Sequence, residues 1–277
     1  MIFLEAKPIV EKIKSELQAR VSDVSPKPRL AIVIVGESAP SRKFVELKEA
    51  FAKSVGIETQ RYELPADIST NNLRERMRDI VHEPRNSGVI VQLPLPSQID
   101  AQAILNAITP DKDVDALSAR VVGDIAVGKS RIIPPVAQAV RLLLEHYAID
   151  VTNKKMTVIG MGRLVGKPVI AWAMHAGAII TALNSTEQMT RDTLGDADIV
   201  VAGIGVPRVV TGDMLKQGVV VLDIGTSEDG GVLVGDIDQE SVSKKASYMT
   251  PSKGGIGPLT VALVFKNLLT LFRQSAD

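Results

Sequence analysis

Uninterrupted runs of branched aliphatic residues constrain this chain most. LAIVIV at 30–35, GVIVQ at 88–92, MTVI at 156–159, IVVA at 199–202 and VVVLD at 219–223 are apolar at nearly every position. A strand with one wet face alternates apolar with polar residues. A strand apolar throughout is covered on both faces, as in a parallel sheet lying between helices. Further strands are expected at 58–64 and 179–183. Helices are expected at 38–55, 70–80, 101–108, 134–147, 164–176 and 257–272, the first with Ser38 as N-cap and Pro40 in its opening turn. This alternation predicts an α/β fold. It breaks over residues 120–133, where Gly, Asp and Lys intervene, and restarts at Met156, so two α/β domains are expected.

Composition narrows the function. Five Phe, three Tyr and one Trp in 277 residues leave the core to aliphatic side chains and disfavour a surface that stacks bases. Lys plus Arg and Asp plus Glu both number 32, so the basic excess of a nucleic-acid binder is missing. The sequence has no cysteine, which removes disulfides, thiol nucleophiles and Cys-ligated metals. His82, His146 and His175 have no metal-ligand spacing, so no metal is expected. No Gly-x-Ser-x-Gly elbow points to a serine hydrolase. The opening MIFLEAKPIVEKIKSEL mixes acids and lysines into its apolar residues, unlike a signal peptide. The longest apolar stretches, such as 199–206, fall far short of the ~20 residues of a membrane span. The expectation is a cytoplasmic protein with a small-molecule substrate and neither a membrane nor a nucleic-acid partner.

The segment MTVIGMGRLVGKP at 156–168 runs from a buried strand through Gly160, Gly162 and Gly166 into a helix. Glycines allow a sharp turn and close approach of a pyrophosphate, and the helix N-terminus offers free N–H groups to the anion. The spacing Gly-x-Gly-x-x-x-Gly is one residue longer than the usual fingerprint, and the bland alternative is a structural turn. The next strand ends in Leu183, Asn184, Ser185 and Thr186. An NAD site usually carries an acid there; neutral residues lean toward NADP, with Arg163 the nearest cation and NAD still open.

Several motifs together identify a family. VQLPLP at 91–96, PDKDVD at 110–115, the glycine turn, VLDIG at 221–225, VGD at 234–236 and GGIGPLT at 254–260 resemble the bifunctional methylenetetrahydrofolate dehydrogenase/methenyltetrahydrofolate cyclohydrolases. The likeness runs from about residue 5 to about 269. It implies two α/β domains with a cleft between them, the second a Rossmann-like doubly wound parallel sheet. Residues 1–121 with 254–277 would form the folate-binding catalytic domain, and residues 122–253 the dinucleotide-binding domain. It also implies a homodimer in one-carbon metabolism and purine biosynthesis. The implied activity is oxidation of 5,10-methylenetetrahydrofolate with a nicotinamide dinucleotide, then hydrolysis of the methenyl product to 10-formyltetrahydrofolate.

The resemblance also implies site residues. Ser41, Phe44 and Lys48, spaced i, i+3 and i+7, share one helix face. Lys48 falls on the family's catalytic lysine. A lysine of ordinary pKa near 10.4 is a poor base at neutral pH, whereas a desolvated one can be tuned toward ~7–8. Gln92 would hydrogen-bond that lysine, and Asp115 would pair with the N–H edge of the pterin. Ser41, Phe44, Val91, Leu93, Gly257 and Pro258 would contact substrate. Gly160, Met161, Gly162, Arg163, Ser185 and Thr226 would contact the dinucleotide. Taken alone, each has a plainer role: a solvated helix lysine, a strand-end amide, or a turn aspartate, the last applying most to Asp111 and Asp113. This chain departs from the family at Phe44 (usually Tyr), Met161 (often Arg), Asn184 (often His), residues 116–118, residues 134–137 and Lys253 (usually Pro). The alternatives are therefore a dehydrogenase with weak or lost hydrolysis, or a non-catalytic paralogue that binds folate or dinucleotide.

Overall fold

The computed structural model describes residues 1–36, 39–229, 232–252 and 254–274, apart from the side chains of residues 39–41, 228–229, 232–233 and 273–274. Along the chain lie β1 (Ile2–Phe3), α1 (Lys7–Val21), β2 (Arg29–Val35), α2 (Ala39–Val55), β3 (Glu58–Leu64), α3 (Thr70–His82) and β4 (Gly88–Val91). There follow α4 (Ala101–Leu105), α5 (Ala119–Ala126), α6 (Pro135–His146), β5 (Lys155–Ile159), α7 (Gly166–His175), β6 (Ile179–Leu183) and α8 (Arg191–Leu194). The chain continues with β7 (Ile199–Ala202), β8 (Val220–Asp223), β9 (Ser227–Asp229), β10 (Val232–Val234), α9 (Gln239–Ser243), β11 (Tyr248–Met249) and α10 (Ile256–Gln274).

Two compact units form, one from residues 1–10 and 136–260, the other from 11–135 and 261–277. The first holds a six-stranded sheet in the order β1-β11-β8-β7-β5-β6, with every neighbouring pair parallel. The second holds the parallel sheet β3-β2-β4. The α/β architecture with parallel sheets is thus as the apolar runs imply: β4 and β7 are buried at every residue. In the first unit the chain passes from β5 to β6 on one side and returns to β7 on the other. That reversal puts a topological switch point beyond the carboxyl ends of β5 and β7, where open α/β sheets bind ligands.

The unit bounds differ from those expected: residues 1–10 join the first unit, where β1 pairs with β11, residues 122–135 belong to the second, and the second unit's share of the C-terminal segment starts at 261 rather than 254. The other differences are local. Residues 120–133 are partly helical, because Ser118 caps α5 by accepting from the Val121 N–H. The helix expected from residue 164 begins at Gly166, the glycine turn taking the residues before it. The expected cap Ser38 lies outside the described residues. Helix α1 went unassigned although Ile9, Ile13, Leu17 and Val21, spaced four apart, form a buried stripe. Among the described residues no helix is long and apolar enough to cross a membrane.

One buried amide organises the second unit. Asn267 of α10, 2% exposed, donates through Nδ2 to Val114 O and Ile133 O, both at 3.0 Å. Asp113 turns the same segment by accepting from the Leu117 and Ser118 N–H groups at 3.2 and 2.8 Å. Asp115 stands between these two anchors, one residue past Val114. Asn267→Leu leaves two carbonyls without donors and is expected to cost about 1–3 kcal/mol for each. A urea midpoint unchanged from wild type would refute this account of the segment.

Candidate active site

Strand parity brings the first group together. Val89 and Val91 of β4 pack with Ala31, Val33, Leu73 and Met77 in one core cluster. The next side chain, Gln92, therefore points to the opposite face. There Lys48 Nζ donates to Gln92 Oε1 at 2.9 Å, the hydrogen bond the resemblance implied. Gln92 Nε2 donates to Leu93 O at 3.0 Å, so the amide has its carbonyl toward the amine and its NH2 toward a carbonyl. Burial lowers the Lys48 amine from its ordinary value, and the Asp115 charge partly offsets this. Burial pushes the Asp115 carboxyl up to about 6, with Lys48 opposing the rise and Asp113 adding to it. A strand end, a helix face and a pinned loop thus bring together an amine and a carboxyl, each moved toward neutrality.

The remaining expected substrate residues are more scattered. Phe44 is half-buried one turn before Lys48, and the Ser41 side chain lies outside the described residues. Val91 is 3% exposed and belongs to the core, with Leu93 packed against the same cluster. Gly257 and Pro258 are exposed in the first turn of α10, in the other unit. A cavity of about 410 Å³ in the second unit is lined by Arg42, Arg61, Glu63 and Pro65, among others, and by none of the three catalytic candidates. Arg61 there is held by Glu49 and Glu63. Among the described residues no group of three or more His, Asp or Glu could hold a metal ion.

The glycine turn lies at the switch point of the first unit. Gly160, at φ +90°, has no room for a Cβ against the backbone of Gly203 and Ile204, and Gly166 has none against Gly160 O. Gly162 faces open space, and no side chain caps the N-terminus of α7. This packing suits the turn to a phosphate group at the helix start. Asn184 Oδ1 accepts from Met161 N at 3.2 Å and steadies the turn. Gln188 Oε1 takes the Asn184 and Ser185 N–H groups at 2.7 and 3.2 Å. The Ser185 hydroxyl bonds Glu187, holding that exposed carboxyl below the usual carboxylate range. Thr226 is exposed just beyond β8. Gln188 and Glu187 were not anticipated, although both stand within five residues of the end of β6, where ribose contacts are sought.

Comparisons with known proteins give the family. Residues 4–115 match the tetrahydrofolate dehydrogenase/cyclohydrolase catalytic domain, and residues 134–276 match the NAD(P)-binding domain of the same family. The chain belongs to the tetrahydrofolate dehydrogenase/cyclohydrolase family. Among curated relatives, the bifunctional protein FolD of Nautilia profundicola is 38% identical, over 100% of this chain and 99% of its own. The crystal structure of the FolD dehydrogenase/cyclohydrolase from Campylobacter jejuni superposes with a TM-score of 0.94 at 32% identity, covering 99% of each chain. The Trypanosoma brucei FolD structure, complexed with NADP cofactor and inhibitor, gives 0.93 at 31%, covering 100% of this chain and 99% of that one.

In this dehydrogenase/cyclohydrolase the Asp115 carboxyl carries a cost of folding that depends on pH. Its folded pKa of about 6 lies above the ordinary 3.8, so the fold disfavours the ionised form. The penalty grows as pH rises from 3.8 to about 6 and is complete above that. Asp115→Asn is therefore expected to stabilise the protein by about 1–3 kcal/mol at pH 7. Near pH 4 the gain should vanish. Denaturant melts at the two pH values check this, and an equal effect at both would refute it.

Proposed function

We propose that this chain oxidises 5,10-methylenetetrahydrofolate with a nicotinamide dinucleotide and hydrolyses the methenyl product to 10-formyltetrahydrofolate, with Lys48, Gln92 and Asp115 as its catalytic group. The 2.9 Å Lys48–Gln92 hydrogen bond, beside a carboxyl of pKa about 6, carries this reading. Gln92 accepts from the amine and fixes its direction. Lys48, its amine lowered by burial, gives up and takes back a proton as water adds to the methenyl carbon. Asp115 pairs with the N–H edge of the pterin, a two-point contact. The Phe44 ring stacks on the pterin, with Ser41 and Leu93 beside it; Val91, spent on the core, supports the strand instead. Gly160, Met161, Gly162, Arg163, Ser185 and Thr226 would hold the dinucleotide, which supplies a hydride acceptor when bound. Family membership extends the proposal to a cytoplasmic homodimer serving purine biosynthesis.

NADP is the proposed partner, because Asn184, Ser185 and Thr186 carry no charge to repel a 2′-phosphate. Glu187, held by Ser185, opposes it and keeps the preference small. Glu187→Gln is expected to raise kcat/KM with NADP relative to NAD by about three- to ten-fold. An unchanged ratio would place Glu187 away from the phosphate.

Phe44 favours a second reading, a dehydrogenase with impaired hydrolysis, since the phenyl ring brings no hydroxyl to the lysine. Absorbance under turnover separates the two. Reduced dinucleotide without lasting methenyl absorbance is the expected result, and accumulating methenyl product would support the second reading. Lys48→Met is expected to lower hydrolysis by about 10²–10⁴-fold. Hydrolysis that survives this substitution would remove Lys48 from the mechanism.

A further inference from the structure

Two of the sequence motifs interlock in a way their spacing does not reveal. Gly225 of VLDIG has no room for a Cβ because the Asp236 carboxyl occupies that space. Gly235 of VGD has none because the Asp223 carboxyl fills it. Each motif's glycine seats the other motif's aspartate. Asp223 in turn holds the second motif by its backbone, accepting from Asp236 N at 3.0 Å and Ile237 N at 3.3 Å.

Asp236 is wholly buried and takes no part in the mechanism above. Its Oδ2 accepts from Ile204 N at 2.7 Å and Gly205 N at 3.0 Å. Its Oδ1 is buried without a partner. The two N–H groups belong to the loop that follows β7. The preceding residue, Gly203, packs against Val165 with no space between them, and the backbone of Gly203 and Ile204 closes on Gly160. A buried carboxylate therefore grips the loop that forms one wall of the glycine turn.

We propose that Asp236 is a positioning residue for the dinucleotide, setting residues 203–205 against the glycine turn so that the turn keeps its binding shape. This rests on the assignment of the dinucleotide to that turn. The side chain's hydrogen bonds go to backbone, so its effect on the reaction passes through the loop. The grip needs an acceptor oxygen rather than a charge: an asparagine oxygen can accept both N–H groups while its NH2 takes the place of the unpartnered oxygen.

Titration calorimetry of the full chain with NADP, and separately with NAD, tests the proposal on wild type, Asp236→Ala and Asp236→Asn. Asp236→Ala is expected to weaken binding about ten-fold, with Asp236→Asn restoring most of the loss. In turnover, Asp236→Ala should raise the dinucleotide KM by several times more than it changes methenyl hydrolysis, which uses no dinucleotide. A general loss of structure would lower both activities together and leave KM alone. If Asp236→Ala does not fold, Ile204→Pro, which deletes one gripped N–H from the loop, should weaken dinucleotide binding in its place. Binding as tight as wild type in the folded variant overturns the proposal. Wild-type protein that binds neither dinucleotide would instead overturn the assignment of the turn.

Discussion

Parallel strands buried on both faces leave the chain few places for chemistry. Along β4 and β7 every side chain is spent on the core, and backbone groups are consumed by the ladder. Along these two strands, polar side chains and unpaired N–H groups first appear where the strand ends. Both parts of the candidate machinery obey this. Gln92 is the first residue past β4, Gly160 the first past β5 and Gly203 the first past β7. What distinguishes this protein from any other pair of covered sheets is the identity of those few residues and of what meets them.

The amine–amide–carboxyl group shows how a fold tunes chemistry without exotic components. Lys48 is moved down and Asp115 up by the same cause, loss of water, and each partly restrains the other. Gln92, which does not titrate, orients the amine without adding charge. Asp113 and Asn267 never touch the amine, yet they hold the backbone that carries Asp115. The reactive group therefore depends on contacts between residues more than 150 positions apart.

Much of the fold was legible because its signals are local. Runs such as IVVA at 199–202 announce buried strands wherever they fall, and Gly160 with Gly166 marks a tight strand-to-helix turn. Lys48 was a different case: its spacing showed only a helix face, and the family resemblance paired it with Gln92, 44 residues away. The unread side-chain contacts share one property. The Asn267 bridge, the Asp236 grip and the amide of Gln188 on the Asn184 and Ser185 N–H groups are contacts whose partners no periodicity names. Helix α5 was missed for another reason, since its apolar stripe is short and interrupted by Gly123.

The reciprocal seating of Asp223 on Gly235 and Asp236 on Gly225 bears on how this protein can be recombined. Two segments that each donate a knob and a socket to the other form a single unit of inheritance, although eight residues separate the end of one motif from the start of the next. A graft that imports one segment from a distant relative with a bulkier residue at either glycine would strand a carboxyl in occupied space. Exchange points in chimeras are better set before residue 221 and after residue 236, so that knob and socket travel together.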